Sequence, residues 1–244
     1  MEITDIKRRL DDLSSRCERS GCITCSSFLT PLEVYENERF YPSAFFTGGY
    51  EDAERKAAIF IPEWMEKEDI DISEYISCLK LQSFFGIPSH RDYMGAILGL
   101  GISRDRIGDI VTDGDTAYVF CLGGVEKTIE TELKRAGRIS VKASKIQLFE
   151  FTAPQKKIKK VSFTVKSLRL DAVTGDMFSL SRANASDAIK EGLVTLNYSV
   201  CEKCDAQVKE GDIISFKGKG KGKISEAGGR SRRDRIFVTA DIYI

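Results

Sequence analysis

The chain has 244 residues, of which 42% are hydrophobic and 30% are charged, a composition that is typical of folded domains and excludes a largely disordered chain. The longest apolar runs, 57–62 and 96–100, are far shorter than the roughly 20 residues of a membrane-spanning helix. Residues 1–12 mix acidic and basic side chains and do not resemble a secretory signal. We therefore expect a cytoplasmic protein with no membrane partner.

The formal net charge is zero because two unlike parts of the chain cancel. Residues 154–244 contain 18 Lys+Arg and 11 Asp+Glu, whereas residues 1–153 contain 19 and 26. A basic C-terminal part attached to a more acidic body indicates a module that faces nucleic acid. The alternative is a solvated surface rich in lysine and arginine.

Residues 1–70 are predicted to form a small α+β unit. Apolar residues recur there at helical spacing, which predicts a helix over 2–19. They are Ile3, Ile6, Leu10 and Leu13. The segment 45–62 is predicted to form two short strands around a turn.

Residues 71–155 alternate strand and helix patterns in the order β-α-β-β-α-β, which is the signature of a ferredoxin-like fold and is shared by RNA-recognition motifs. The predicted strands are 72–84, 107–112, 116–122 and 139–146, and the predicted helices are 91–100 and 126–136. Tyr118 and Phe120 are interpreted as core residues, because the full aromatic and basic signature of an RNA-recognition motif is missing.

Neither a metal nor a cofactor site is predicted. Two of the seven cysteines form the pair Cys22/Cys25 and two form the pair Cys201/Cys204, but the pairs lie far apart in the sequence. Reduced thiols are expected, with a zinc site as the alternative. The single histidine, His90, provides no pairing that supports catalysis, and the glycines of 123–128 lack the ending of a phosphate loop.

A linker is predicted at 155–165, after Pro154, with an extended stretch at 161–165, and the segment 165–244 is predicted to be a separate domain. A short helix begins near Ser167, and a second helix follows Ser181, which is a suitable N-cap. Strands at 194–197 and 213–216 complete a small sheet under the two helices.

The motifs of this domain resemble the alpha-L RNA-binding domain of ribosomal protein S-four. The matching segments are Arg169-Leu170-Asp171, Leu180-Ser181-Arg182, Ile189-Lys190-Glu191-Gly192, Val194 with Asn197, and Gly211-Asp212-Ile213-Ile214. Tyr198 stands where that domain usually has a glycine. With the upstream motifs at 48–51, 89–92 and 108–110, the chain as a whole resembles the bacterial YlmH family.

The YlmH resemblance implies an α+β RNA-binding protein of ribosome-associated quality control, with a weaker link to cell division. Its expected partners are ribosomal RNA of the large subunit and transfer RNA. The RNA face that the alpha-L resemblance implies consists of Arg169, Ser181, Arg182, Lys190 and Asn197. We expect both arginines on the surface, where each can hold a phosphate through two parallel hydrogen bonds, and the helix start at Ser181 adds backbone donors.

Basic residues continue beyond the matched motifs. Lysines alternate there with glycines, which we expect to let RNA approach the backbone closely. The residues predicted to bind RNA are Lys217, Lys219, Lys221, Arg230, Arg232 and Arg233. The alternative is a flexible, solvated loop.

Two other functions remain as alternatives. The stretch from Arg169 to Gly175 faintly resembles the aspartate motif of pseudouridine synthases, but too few residues follow Asp171 for a catalytic domain besides the alpha-L fold. A scaffold for the division machinery would use the acidic N-terminal part instead. We predict that the chain is not an enzyme and that Asp171 is structural.

Overall fold

The computed structural model describes residues 3–155 and 157–243. Outside the described residues lie Met1, Glu2, Lys156 and Ile244, and with them the first residue of the predicted helix at 2–19. The chain divides into two compact units, Met1–Pro154 and Gln155–Ile244.

The N-terminal part of the first unit combines two helices with a three-stranded antiparallel sheet. Its elements are α1 (Ile3–Ser20), β1 (Thr24–Cys25), α2 (Pro31–Asn37), β2 (Ala44–Thr47) and β3 (Ala57–Phe60). The strand order is β1-β3-β2. The helical periodicity is explained by burial, since Ile6 and Leu10 of α1 pack into the core next to Phe60.

The middle part of the first unit has the predicted β-α-β-β-α-β order. Its elements are β4 (Ile76–Phe84), α3 (His90–Gly99), β5 (Ile107–Asp113), β6 (Thr116–Leu122), α4 (Glu126–Glu132), β7 (Arg135–Ala136) and β8 (Ile139–Ile146). The antiparallel sheet has the order β5-β6-β4-β8-β7, so β4 and β5 are parallel with β6 between them, as in a ferredoxin-like fold. Helix α4 ends earlier than the predicted 136, because Arg135 and Ala136 pair with β8.

One face of this sheet packs on α3 and α4 through Leu79, Leu81 and Val119. Part of the opposite face is covered by aromatic residues. Phe120 is fully buried, with its ring centroid 4.7 Å from that of Tyr50 and 5.0 Å from that of Phe151. The interpretation of Phe120 as a core residue is therefore confirmed.

The motifs at 48–51 and 108–110 meet beside this aromatic cluster. The carboxylate of Asp109 accepts hydrogen bonds from the Tyr50 hydroxyl at 2.8 Å and from the backbone N–H groups of Glu54 and Arg55 at 2.7 and 3.1 Å. Because these contacts and the aromatic core join the two parts, 1–70 and 71–155 form one compact unit instead of the two domains that the sequence predicts.

The second unit is a six-stranded antiparallel sheet with two helices on one face. Its elements are β9 (Ile158–Val165), α5 (Leu170–Met177), α6 (Arg182–Lys190), β10 (Val194–Leu196), β11 (Ser199–Val200), β12 (Ile213–Phe216), β13 (Gly220–Arg230) and β14 (Ile236–Tyr243). The strand order is β11-β10-β12-β13-β14-β9. Leu170 and Val173 of α5 and Ile189 of α6 pack on the sheet, where Ile214 and Ile224 lie in the same core.

One prediction about the second unit needs correction. The predicted linker at 155–165 largely forms β9, which pairs with β14 along its whole length and buries Val165. The basic residues beyond the alpha-L motifs lie in or beside β13, and β13 and β14 are integral strands of the sheet. Their long hairpin places Ile224 and Val238 in the core of the unit.

Candidate nucleic-acid interface

The first turns of α5 and α6 are joined through one buried carboxylate. Asp171 is 3% exposed and lies in the first turn of α5. Arg169, the N-cap residue of α5, donates to it from Nε at 3.2 Å and from Nη2 at 3.0 Å. Arg182, the first residue of α6, donates from Nε and Nη2 to the same carboxylate at 3.1 to 3.3 Å. We name these three residues the Arg-Asp-Arg clamp.

The clamp keeps Asp171 ionised. Burial raises the pKa of this carboxyl group, but hydrogen bonds and positive charge from Arg169 and Arg182 outweigh burial and hold the pKa of Asp171 below its ordinary value. The hydrogen bond to Asp171 in turn raises the pKa of Arg169. With two cations around one anion, the clamp carries one excess positive charge.

The clamp arginines are only partly available to a ligand. The side chain of Arg169 is 34% exposed and that of Arg182 is 61% exposed. Both use Nε and Nη2 on Asp171, which leaves Nη1 of each for an external acceptor. The expectation that each arginine holds a phosphate through two parallel hydrogen bonds therefore needs correction, because Nε and Nη2 of both arginines already donate to Asp171 within the fold.

Ser181 is the N-cap of α6, as predicted from the sequence. Its hydroxyl accepts a hydrogen bond from the Asn184 N–H at 3.1 Å. The remaining N–H groups of the first turn and the helix dipole favour an anion next to Arg182. Lys190 is exposed at the other end of α6, about 12 Å from Arg182 at 1.5 Å per residue, and therefore lies apart from the clamp.

Asn197 forms a tight turn instead of presenting its amide to solvent. Asn197 and Tyr198 have φ angles of 50° and 71° and form the two-residue loop between β10 and β11. Asn197 Nδ2 donates to the buried Asp212 at 2.9 Å, and its Oδ1 accepts from the Ile213 N–H at 2.9 Å. The turn thus keeps its left-handed geometry with Tyr198 in place of glycine, and Asn197 has a structural role.

The lysine and glycine alternation has two structural causes. Gly218 and Gly220 adopt φ angles of 82° and 121° in and after the β12–β13 turn, a region that favours glycine. A Cβ atom on Gly222 would lie 3.0 Å from Sδ of Met177, so glycine there lets α5 approach the sheet. The expectation that these glycines admit RNA therefore needs correction at Gly222, which is buried in the fold.

The lysines of this segment differ in their surroundings. Lys217 and Lys219 are exposed in the β12–β13 turn. Lys221 lies with Nζ 5.2 Å from the ring centroid of Tyr198 and 6.0 Å from that of Tyr243. These distances are typical of cation–π contacts. Lys217 and Lys219 are accordingly the more available phosphate ligands.

The arginines of 230–233 lie at the tip of the β13–β14 hairpin. Arg230 forms an exposed ion pair with Asp234, and Arg232 and Arg233 are exposed in the turn. At about 3.3 Å per residue, Arg230 lies roughly 30 Å along β13 from Lys221. The predicted RNA-binding residues thus form separate groups, namely the clamp, the β12–β13 lysines and this arginine tip.

The described ranges 3–155 and 157–243 contain no group of three or more His, Cys, Asp or Glu side chains arranged to hold a metal ion. In the same part of the chain, no helix is long and apolar enough to cross a membrane. All seven cysteines are free thiols.

Comparisons with known proteins agree with this architecture. Residues 68–150 match a family model described as "Putative RNA-binding domain in YlmH". A solved structure, cell division protein ylmH from Streptococcus pneumoniae, has the same fold with a TM-score of 0.53 and 19% identity, covering 62% of this chain and 95% of that one. Residues 68–150 are thus similar to the domain described as RNA-binding in YlmH.

A curated relative fixes the family. Ribosome-associated protein quality control protein P2 of Bacillus subtilis is 33% identical over 194 residues, which are 80% of this chain and 76% of that protein. The chain therefore belongs to the YlmH family, as the sequence motifs predict.

Two features are not apparent from the sequence. The motifs predict that Asp171 is structural, but they do not predict that it joins both helix starts. The signal was the presence of one acidic residue within two motifs that otherwise supply arginines. The residues predicted to bind RNA all lie in the C-terminal part, whereas the family model described as a putative RNA-binding domain matches the middle part at 68–150.

Proposed function

We propose that this chain is a non-catalytic RNA-binding protein of ribosome-associated quality control. In this proposal it acts in the cytoplasm and attaches to structured RNA, namely ribosomal RNA of the large subunit together with transfer RNA. The observation that carries the proposal is the Arg-Asp-Arg clamp, which brings excess positive charge and a helix N-terminus to one place. The name of the Bacillus subtilis relative supports the quality-control role.

The clamp is suited to the shape of folded RNA. Guanidinium nitrogens and backbone N–H groups bind phosphate oxygens, which position a protein on a nucleic acid without identifying its bases. Folded RNA presents phosphates at fixed spacings, and proteins recognise it largely by shape. A rigid arrangement of donors at two helix starts therefore favours folded RNA over a flexible message.

The environment of Asp171 argues against the pseudouridine synthase alternative. A catalytic aspartate must reach its substrate, but Asp171 is 3% exposed and both of its carboxylate oxygens accept hydrogen bonds from arginines. Its lowered pKa keeps it anionic within the clamp. These features support a structural role for Asp171 and a protein without catalytic activity.

The test is co-sedimentation of the full chain with large ribosomal subunits in sucrose gradients. Arg182→Gln removes the charge and keeps an amide donor near Asp171. Lys159→Ala is the control, because Lys159 is exposed on the edge strand β9, outside the three basic groups. We expect the affinity for large subunits to fall about tenfold with Arg182→Gln, as for loss of one charge-assisted contact. Unchanged binding by this variant, or no co-migration of the wild type, contradicts the proposal.

A scaffold of the division machinery is the remaining alternative, and the name of the solved neighbour is its only support. Pulldowns from cell extract with and without RNase distinguish the two functions. Partners that are lost with RNase support the RNA-binding proposal, whereas protein partners that resist RNase support the scaffold.

A further inference from the structure

The end of the middle sheet carries exposed apolar side chains. Phe84, the last residue of β4, is 44% exposed, Phe85 is 105% exposed and Ile87 is 68% exposed. We name these three residues the apolar tip. Phe85 has a φ angle of 61°, a left-handed conformation that bulky residues rarely adopt. An exposed aromatic side chain on strained backbone is a pattern found at binding sites.

The apolar tip adjoins an uncovered half of the sheet. Side chains on a strand alternate between faces, so Lys80 and Phe84 share the helix-free face with the covered residue Cys78. In the antiparallel register, Lys142 of β8 is opposite Gln82 and lies on the same face. Lys80, Lys142 and Phe84 therefore point to one side of the sheet, next to the part that Phe151 covers.

The edge of this half-sheet is positively charged. The exposed basic residues on or beside β7 and β8 are Lys134, Arg135, Arg138, Lys142 and Lys145, of which Lys145 lies 4.0 Å from Glu126 of α4. In the described part of the chain, neither Lys80 nor Lys142 forms an ion pair. The acidic residues Asp113 and Asp115 lie at the β5–β6 turn, on the other side of β4. The charge on the β8 side complements RNA.

We propose that the apolar tip, Lys80, Lys142 and Arg138 form a second RNA site, which binds unpaired RNA. Bases stack on Phe84 and Phe85, while the cations bind the adjoining phosphates. Paired bases are unavailable for such stacking, so this site differs from the clamp in the RNA that it takes. The proposal goes beyond the proposed function, because the site belongs to the other unit of the chain.

The position of the site follows from what covers the rest of the sheet. RNA-recognition motifs stack bases on aromatic residues of their sheet surface. Here Tyr118 and Phe120 pack against Phe151, with ring centroids 4.9 and 5.0 Å from it. Because Phe151 covers this part of the sheet, RNA bases cannot stack there. The exposed phenylalanines at the end of β4 are the aromatic residues that remain accessible to them on this face.

The test uses the full chain and a labelled ten-nucleotide oligouridine, with an RNA hairpin as the paired probe. Phe85→Asn removes the ring, and asparagine tolerates the left-handed backbone. Trp64→Asn is the matched control, since Trp64 is an aromatic residue of the same unit that is 73% exposed outside the site. We expect oligouridine affinity to fall about tenfold or more with Phe85→Asn, with no change in hairpin affinity or with the control.

Salt dependence separates stacking from charge. Phe85→Asn removes no phosphate contact, so the slope of log affinity against log salt for oligouridine stays the same. The double variant Lys80→Ala and Lys142→Ala lowers the magnitude of that slope by about 1.4, at roughly 0.7 for each contact with single-stranded RNA. Wild-type oligouridine affinity in Phe85→Asn overturns the proposal, and so does an equal loss for oligouridine and hairpin.

Crosslinking locates the bound RNA directly. With 4-thiouridine in the oligonucleotide, we expect the major crosslinked peptide to contain Phe84 and Phe85. Crosslinks confined to residues 155–244 overturn the second site. Because this result does not depend on ribosome co-sedimentation, failure of the proposed ribosomal attachment and failure of the second site are distinguishable.

Discussion

Arg182 donates three hydrogen bonds to the carboxylate of Asp171, at 3.1 to 3.3 Å, although the two residues are 11 positions apart. This contact ties the start of α6 to the start of α5. The same guanidinium is the most exposed group of the clamp, with 61% of its side chain accessible. Arg182 therefore serves the fold of the second unit and the proposed RNA surface at once.

Removal of the clamp arginines is predicted to destabilise the second unit. Arg182→Ala leaves a buried carboxylate short of partners, so the free energy of unfolding should fall by about 1–3 kcal/mol. The double variant Arg169→Ala and Arg182→Ala leaves the Asp171 carboxylate without either arginine, so we expect the free energy of unfolding to fall by about 3–5 kcal/mol. Urea denaturation at pH 7 measures both. Adding Asp171→Asn to the double variant should recover part of the loss, and an unchanged midpoint in all variants contradicts the role of the clamp.

The stability that Asp171 contributes is predicted to depend on pH. Because its pKa is lower in the folded state than the value of about 3.9 in an unfolded chain, its contribution is complete above that value and is lost as pH falls through the folded pKa. The stability difference between wild type and Asp171→Asn should thus be constant from pH 7 to 5 and narrow below about pH 4. A difference that already narrows between pH 7 and 5.5 indicates that another group is responsible.

The clamp illustrates what the sequence can predict about this site. The motifs around Arg169 and Arg182 identify both helix starts and the capping role of Ser181, because caps depend on local residue types. They do not reveal that both arginines bond to Asp171, since that contact depends on how the helices pack. The sequence therefore predicts which residues lie at the surface, but it overstates how many of their hydrogen-bond donors remain available to a ligand.

Asn197→Ala is predicted to affect folding more than RNA binding. The substitution removes the hydrogen bonds to Asp212 and from the Ile213 N–H, and Asp212 is 4% exposed. We expect the free energy of unfolding to fall by about 2–3 kcal/mol, while the affinity of the folded protein for an RNA hairpin stays within about twofold. Urea denaturation and filter binding measure the two effects. A variant with normal stability but weakened RNA binding would instead show that Asn197 contacts RNA.

The order of elements in the first unit was predictable, whereas the association of its two parts was not. Alternating apolar residues identify β4, β5, β6 and β8 because strands have a local period of two. The contact between Tyr50 and Asp109 joins residues 59 positions apart, and no local pattern encodes it. For the same reason, the exposure of Phe84 and Phe85 is visible only in the structure, since their apolar run reads as the end of a buried strand.

The purified chain is predicted to form no pseudouridine. Asp171 is bonded to two arginines and is inaccessible to a base, so uridine-rich transfer RNA incubated with the protein should remain unmodified. Mass spectrometry after derivatisation of pseudouridine provides the measurement, with a known synthase as the positive control. Pseudouridine that appears with wild type and disappears with Asp171→Asn, under conditions in which both proteins are folded, contradicts the assignment.

Salt dependence is predicted to identify the lysines that contact structured RNA. Lys217 and Lys219 are exposed in a turn whose glycines fix its shape, and Lys219→Ala with Lys217→Ala leaves that backbone unchanged. If each lysine neutralises one phosphate, the double variant lowers the magnitude of the slope of log affinity against log salt by about 1.4–1.8 for an RNA hairpin. The magnitude of the slope falls because binding of the variant releases fewer counterions from the RNA.

The matched control is Lys159→Ala with Lys160→Ala, which removes the same charge from exposed positions of the edge strand β9 in the same unit, outside the three basic groups. A general effect of net charge would change both slopes equally, whereas specific phosphate contacts change only the slope of the Lys217 and Lys219 variant. Equal slopes in the two variants would therefore assign the salt dependence to the overall field of the basic unit and remove these two lysines from the interface.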